Sequence, residues 1–314
     1  MFSTVLVPLD GSPAAEMALP TARALAAALG AQVNLLRVVR RPVALLDGHA
    51  AEIREAATYL DGLARELSAS NLRVRTHVRS GDVAEAILAE IDERRVDLVL
   101  MATRGRSGVV RAVLGSVAGE VLSRSPVPVV LLRADSLGLS GIKRLLVPLD
   151  GSAGAALALG AAIDLAHATG ARLSLLQVVS PIPVWTYDAS IGFSFGPHID
   201  PSWDGAALAG ARGYLEHLVD ELRERGVYAD GRAMLGDVPR TIAQTAVEIS
   251  TDLIVMSTRA HTGPARAVLG SVADAVVRLA QPPVLLLPYG SAPAAEAGIR
   301  DREMDASAEP SPST

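Results

Sequence analysis

The stretch VLVPLDGS at residues 5–12 returns as LLVPLDGS at residues 145–152, 140 residues further along the chain. Other segments repeat in the same order: LGAQVNLLRVV (29–39) as TGARLSLLQVV (169–179), GDV (81–83) as GDV (236–238), and AVLGSVA (112–118) as AVLGSVA (267–273). Ordered self-similarity over this length indicates a duplicated structural unit.

The repeat predicts two homologous domains in the 314-residue chain, each long enough to bury its own core. We expect the first domain at 1–133, a linker at 134–141, the second domain at 142–289 and a disordered tail at 290–314. The second copy carries 15 extra residues between positions 179 and 214, which predicts an inserted loop at 181–205.

Within each copy, short apolar segments alternate with segments of helical periodicity, the pattern of stacked βαβ units. In the first copy the predicted strands are 5–9, 32–39, 74–78, 97–102 and 126–132, and the predicted helices are 14–29, 52–69, 83–94 and 117–123. Strands that are apolar throughout indicate a parallel sheet with helices on both faces. The sequence therefore predicts two tandem Rossmann-like α/β domains, each with a five-stranded sheet in the order 3-2-1-4-5.

The fifth strands, PVPVVLL (126–132) and PPVLLLP (282–288), carry prolines, which favour a sheet edge because proline cannot donate to a ladder. These edges are the natural surfaces for pairing the two domains, or for a homodimer of two chains.

Strands 1 and 4 are expected to lie side by side, with a crevice beyond their carboxyl ends. Asp10-Gly11-Ser12 leaves strand 1 there, and ATRGRSG (102–108) leaves strand 4 ahead of a helix that begins near Gly115-Ser116. Glycine-rich loops and helix N-termini bind phosphate through backbone amides. Taken alone, the stretch has a second interpretation, in which Gly105 and Gly108 are turn glycines and Ser116 is a helix N-cap.

These motifs together resemble the universal stress protein family in its tandem form. The resemblance is carried by VPLDGS, by LLRVV (35–39), and by the family's phosphate pattern of Gly, two residues, Gly, nine residues, and Gly-Ser or Gly-Thr, which this chain matches from Gly105 to Gly115-Ser116. It covers residues 1–133 and 142–288 and implies ATP binding in the crevice. By position, it implies that Asp10 hydrogen-bonds adenosine, that Val38 offers backbone groups to adenine, and that Gly105, Gly115 and Ser116 hold phosphates.

The predicted nucleotide site of the first domain, called site one, departs from the family pattern at its first glycine position, which is Ala102. The added methyl group is tolerated if the φ angle of residue 102 is negative and clashes if it must be positive. The same loop adds further candidate binding residues: Ala102 itself, Thr103, Arg104, Arg106, Ser107 and Gly108. Its arginines either contact phosphate or are solvated.

Site two, in the second copy, keeps Asp150, Val178, Gly270 and Ser271. Ser257 and Ala260 replace the first two glycines, which reduces backbone freedom in the loop. The residues leave three outcomes open: altered affinity, a smaller ligand, or a scaffold without nucleotide.

The sequence lacks the residues that several other classes of function require. The chain has no cysteine, and its six histidines are isolated, so no metal site is expected. Lysines and arginines are scattered rather than clustered, and the net charge is -5, so no nucleic-acid partner is expected. Neither a secretory signal nor a membrane-spanning run is recognisable, which leads us to expect a soluble cytoplasmic protein without membrane association.

The insertion at 181–205 holds five of the ten aromatic residues of the chain. It is either a lid or recognition patch, or an Ω-like loop packed on its own rings. Its prolines and glycines argue against a regular helix.

The resulting functional hypothesis is an adenine-nucleotide-binding protein of stress response or regulation, with ATP as ligand, alone or with Mg²⁺, and with an unknown protein partner. Two alternatives stay open, a nucleotide-free interaction scaffold and a slow ATP hydrolase. No catalytic residue can be named, because no general base or arginine finger is recognisable.

Overall fold

The computed structural model describes residues 2–40, 49–103, 115–133, 136, 138–139, 141–181, 183–184, 187–188, 193–194, 198–199, 201–259 and 270–289. The predicted tail and parts of the predicted linker and insertion lie outside the described residues.

Strands and helices alternate through the N-terminal domain. Its strands are β1 (Thr4–Leu9), β2 (Gln32–Val39), β3 (Arg73–Ser80), β4 (Leu98–Thr103) and β5 (Val129–Arg133). Its helices are α1 (Pro13–Glu16), α2 (Ala18–Leu29), α3 (His49–Ser68), α4 (Val83–Glu93) and α5 (Ser116–Arg124). The helix expected at 14–29 is interrupted at Met17. Pro20 explains the interruption, because it has no N–H to donate to the Glu16 carbonyl one turn earlier.

The C-terminal domain repeats this order. Its main strands are β6 (Arg144–Pro148), β7 (Arg172–Val179), β12 (Ala229–Leu235), β13 (Leu253–Arg259) and β14 (Val284–Tyr289). Its helices are α6 (Ala153–Thr169), α7 (Pro201–Glu224), α8 (Val238–Glu248) and α9 (Ser271–Leu279).

The insertion of the second domain contains regular structure. Four short strands form two antiparallel pairs. The inner pair is β9 (Tyr187–Asp188) with β10 (Phe193–Ser194), and the outer pair is β8 (Pro183–Val184) with β11 (His198–Ile199). The nested pairing is that of a hairpin rather than of an Ω-like loop. The expectation that no helix enters the insertion is wrong at its end, because α7 begins at Pro201, where proline suits the first helical position.

Ten strands form one sheet in the order β12-β7-β6-β13-β14-β5-β4-β1-β2-β3. Each domain contributes five strands in the predicted order 3-2-1-4-5, which confirms the fold class. Pairing within each domain is parallel, as predicted.

The two domains join through their fifth strands, where β14 pairs with β5 antiparallel and Leu285 lies opposite Val130. The prediction that these edges pair the domains is confirmed. Pro126 and Pro128 precede β5 instead of lying in it, so the ladder keeps its donors and β5 has neighbours on both sides. A homodimer stays a prediction, but both fifth-strand edges are already occupied within the chain.

Each face of the sheet carries a buried apolar core that continues from one domain into the other. One core includes Ala22 of α2 and Ala158 of α6, and the opposite core includes Val121 of α5 and Val276 of α9. The linker packs on both domains: the Ser136 hydroxyl donates to the Gln281 carbonyl at 2.8 Å, and the Leu139 amide donates to the Thr21 hydroxyl at 3.4 Å.

Candidate functional site

A crevice of about 780 Å³ opens at the carboxyl ends of β1 and β4 in the N-terminal domain. Its lining includes the six predicted site residues of the first domain that lie in described segments: Asp10, Val38, Ala102, Thr103, Gly115 and Ser116. The predicted candidates Arg104, Gly105, Arg106, Ser107 and Gly108 lie outside the described residues. The structure thus brings two strand ends and a helix start together, as the strand-end rule for parallel sheets requires.

Asp10 forms the tight turn after β1. Its Oδ1 accepts a hydrogen bond from the Ser12 amide at 3.0 Å. Gly11 has a φ of +75°, and a β-carbon there would stand 2.8 Å from Nη1 of Arg37. The positive φ angle therefore favours glycine at residue 11, whereas the contact is with the flexible end of Arg37. The Ser12 side chain then caps α1 by accepting from the Ala15 amide.

Helix α5 begins at the floor of the crevice. Gly115 is its N-cap residue and provides no side-chain cap, and Ser116 is the first helical residue. The interpretation of Ser116 as an N-cap is therefore wrong by one position. Ser116, Val117 and Ala118 line the crevice. First-turn amides have no acceptor inside their own helix, so these three present N–H donors and the positive end of the helix dipole.

Ala102 lies near the end of β4, and its backbone decides whether its methyl group is tolerated. Among the described non-glycine residues, positive φ angles occur at Asn71, Arg95 and Ser250. Ala102 is not one of them, so its methyl group meets the condition set from the sequence. The neighbouring Thr103 is buried, and its hydroxyl donates to the Leu132 carbonyl at 3.3 Å.

Two residues that were not predicted, Arg37 and Tyr59, line one wall of the crevice, and a third, Glu16, holds Tyr59 from behind that lining. The Arg37 guanidinium lies 5.9 Å from the centre of the Tyr59 ring, and its Nη1 donates to the Leu9 carbonyl at 3.5 Å. The Tyr59 hydroxyl donates to Oε1 of Glu16 at 2.8 Å. Burial, and then the hydrogen bond to Glu16, raise the pKa of Tyr59 well above its ordinary value, so this phenol stays protonated.

The residues of the second domain that correspond to those of site one are packed differently. Asp150 follows β6 and accepts from the Ser152 amide at 3.0 Å, Val178 lies in β7, and Gly270 and Ser271 start α9. Ser257 fills space toward α6, since a β-carbon at Gly154 would stand 2.7 Å from its hydroxyl oxygen.

The wall of site one is replaced as well. Gln177 occupies the position of Arg37, and Ala156 that of Glu16. Tyr214 matches Tyr59, and burial, with Asp150 nearby, raises its pKa. Ala260 lies outside the described residues.

Within the described segments, no group of three or more His, Cys, Asp or Glu side chains is placed to hold a metal ion. No described helix is long and apolar enough to cross a bilayer.

Comparison with known proteins agrees with the duplicated fold. Residues 1–133 and 141–288 each match the profile described as the universal stress protein family. A universal stress protein of Thermus aquaticus is 32% identical over 146 residues, which cover 42% of this chain and 100% of that protein. One from Mycobacterium bovis is 26% identical over 192 residues, or 60% of this chain and 61% of that protein.

The same fold is present in a crystal structure of a universal stress protein from Archaeoglobus fulgidus. The TM-score is 0.71 at 22% identity, with 91% of this chain and 98% of that chain covered. The two matching segments take in most of the sequence and coincide with the two halves of the sheet. The chain therefore belongs to the universal stress protein family, with two copies of the family's domain in tandem.

Proposed function

We propose that this protein binds an adenine nucleotide, ATP, in the crevice of its N-terminal domain. Binding would change its affinity for a protein partner in stress response or regulation. The observation that carries the proposal is the N-terminus of α5, which lines the same crevice as Asp10 and has no side-chain cap.

The crevice lining carries groups that suit both parts of a nucleotide. The amides of Ser116, Val117 and Ala118 favour an anion, because they combine free N–H donors with the positive end of a helix dipole. Asp10 is a carboxylate, which repels phosphate and accepts from hydroxyl or amino groups. Adenosine would therefore lie toward Asp10 and Val38, and the phosphates toward α5.

The size of the crevice supports the same ligand. A volume of about 780 Å³ falls within the usual range of small-molecule sites, roughly 300 to 1,000 Å³. Arg37 adds a positive charge to the lining, where it contacts Leu9 and Tyr59. The other charged residues of that wall are Arg40, Glu52 and Glu55. The lining residues bind and orient the nucleotide, and no hydrolytic role is assigned to any of them.

We propose that site one is the stronger of the two sites. In the second domain a neutral Gln177 replaces the cation of Arg37, and the Ser257 hydroxyl is packed toward Gly154. Site two would lack the charge contributed by the wall of site one and would bind ATP more weakly.

Equilibrium dialysis with labelled ATP, with Mg²⁺ and with EDTA, tests the proposal on a matched pair of variants. Asp10 and Asp150 form the same turn with the same 3.0 Å hydrogen bond, so Asp10→Asn and Asp150→Asn each keep the turn and remove one charge. We expect saturable binding by the wild-type protein, and a dissociation constant at least about tenfold higher in Asp10→Asn, a loss of about 1.4 kcal/mol. Asp150→Asn should leave the tighter site unchanged.

Absence of saturable binding by the wild-type protein would overturn the proposal and favour an interaction scaffold without nucleotide. Phosphate release well above the buffer background would favour the hydrolase alternative. Mass spectrometry of nucleotide that copurifies with the protein provides an independent check.

A further inference from the structure

The outer strands of the ten-stranded sheet, β3 and β12, hold the same place in the two domains but differ in charge. β3 reads RVRTHVRS and presents three arginines, whereas β12 reads ADGRAML, with Asp230 and Arg232 on either side of Gly231. Natural sheets usually protect their edges with charge. The edge at β12 carries one charge of each sign, so its charges can pair with those of another strand.

The backbone of β12 offers hydrogen-bonding groups on its outer side. The Tyr228 carbonyl accepts from the Leu173 amide at 2.8 Å, and the Gly236 amide donates to the Val179 carbonyl at 3.0 Å. Peptide groups of alternate residues point to opposite sides of a strand. The peptide groups of the even-numbered residues of β12 therefore face β7. Those of Ala229, Gly231 and Ala233 point away from the sheet, where the described sheet has no further strand.

These outward groups match a second copy of themselves. When two β12 strands run antiparallel about a twofold axis at Gly231, Gly231 faces Gly231 and Ala229 faces Ala233. Both pairs use outward peptide groups and so exchange hydrogen bonds. Asp230 then faces Arg232 in a non-hydrogen-bonded pair, the type in which side chains lie closest. The twofold axis generates this opposite-charge pair twice.

Neither of the two charged side chains has an ion pair within the described residues. Oδ2 of Asp230 accepts from the Ser174 hydroxyl at 3.3 Å, but its Oδ1 is buried and has no hydrogen-bond partner in the described structure. Arg232 is exposed. Rotation of the Asp230 side chain toward the sheet edge would let a guanidinium from a second copy supply a donor to this carboxylate.

Apolar side chains flank the charged pairs. Tyr228 is 75% exposed and Leu235 is 42% exposed. In the register centred on Gly231, Tyr228 faces Met234 of the second copy, which gives an aromatic contact to sulfur. Burial of these exposed side chains would add to the stability of the pair.

The edge at β3 is less suited to the same arrangement. Thr76 takes the position of Gly231, so pairing of two β3 strands in the equivalent register places Arg73 opposite Arg79. Like charges in direct cross-strand positions are destabilising. Of the two edges, β12 is therefore the one better suited to a second copy.

We propose that β12 pairs antiparallel with β12 of a second chain, centred on Gly231, and joins two ten-stranded sheets into one. Because the contact is isologous, it closes at a dimer.

Charge reversal tests the register. Asp230→Arg places two arginines opposite each other, and Arg232→Asp places two aspartates opposite each other, whereas the double variant restores opposite charges. Sedimentation velocity from nanomolar to high micromolar protein should show a wild-type dimer. We expect each single variant to raise the dissociation constant about tenfold, and the double variant to return within about threefold of the wild-type value.

A proline pair tests the backbone contact. Ala233→Pro removes an outward N–H and leaves the bonds to β7 intact, so we expect monomer. Val78→Pro makes the matching change on β3, and the dimer should persist. Circular dichroism checks that each variant is folded. A wild-type monomer at every concentration, assembly beyond a dimer, or a dimer unchanged by Ala233→Pro and by both single charge variants would overturn the proposal.

Discussion

Glu90 is a buried carboxylate whose partners show how a single residue can distinguish the two domains. Its Oε2 accepts from Nε of Arg79, and its Oε1 lies 3.5 Å from Nε of Arg94 and 3.7 Å from Nδ1 of His77. The second domain has Thr245 at the matching position, where the hydroxyl contacts the sulfur of Met234 at 3.5 Å. The same fold thus accommodates an ionic cluster in one copy and a neutral pair in the other. Burying charge is favourable only when every member is paired.

His77 gives this cluster a pH dependence. Burial lowers the pKa of His77 below its ordinary value, and Arg94, Arg75 and Arg79 act in the same direction, while Glu90 opposes them. The unfolded chain takes up this proton near pH 6.5, but the folded protein does so only at lower pH. The unfolded state therefore binds more protons below about pH 6.5, and the free energy of unfolding falls as the pH falls.

Urea denaturation at a series of pH values between 7.5 and 5.5 should show this loss in the wild-type protein. His77→Gln, which cannot titrate, should show a smaller loss over the same interval. Parallel curves for the two proteins would contradict the assignment, because the remaining histidines are common to both.

The start of helix α4 depends on one aspartate. Asp82 accepts from the Ala84 amide at 3.0 Å and from the Glu85 amide at 3.1 Å. The matching residue of α8, Asp237, accepts from the Arg240 amide at 3.1 Å. The repeated GDV motif therefore encodes an N-cap in both domains, with two recorded cap bonds in the first and one in the second.

We expect Asp82→Ala to lower the free energy of unfolding by about 1 to 2 kcal/mol, because it leaves two first-turn amides without an acceptor. Asp237→Ala should have the smaller effect of the two. Asp82→Asn retains an acceptor oxygen and provides the control. Chemical denaturation measures all three, and equal losses in Asp82→Asn and Asp82→Ala would exclude the cap as the cause.

At the scale of the whole molecule, the junction of β5 and β14 turns two domains into one cooperative structure. Val130 and Leu285 pair at its centre, and each is at most 1% exposed. Both apolar cores run through the junction, so neither domain can unfold without exposing surface buried against the other. Such shared burial couples the two unfolding equilibria.

The wild-type protein should therefore unfold in a single transition. Leu285→Asp would bury a carboxylate at the junction and should separate the transition into two. Both tryptophans, Trp185 and Trp203, lie in the second half of the sequence, so their fluorescence reports on that half, whereas far-ultraviolet circular dichroism reports on both. We expect coincident curves for the wild-type protein and separate curves for the variant. Separate curves for the wild-type protein would show that the domains are independent.

The crevice shows which residues of a candidate functional site the sequence alone could predict. Asp10, Gly115 and Ser116 could be placed there because the ends of adjacent parallel strands must meet at one edge of the sheet. Arg37, Tyr59 and Glu16 were missed, although Arg37 directly precedes a predicted site residue. They come from β2, α3 and α1, and no spacing rule relates them. The replacement of Arg37 by Gln177 in the second copy was the available signal.

By itself, the sequence determined the duplication, the alternation of strands and helices, and the strand order within each domain. These features follow from local apolar periodicity and from chain connectivity, which the residues carry directly. Only the tertiary structure decided that the fifth strands pair within the chain rather than between two chains, that Ser257 turns toward Gly154, and that β12 is left at the edge of the sheet. Each of these depends on which surfaces meet once both domains have formed, and residues far apart in the sequence settle that by packing together.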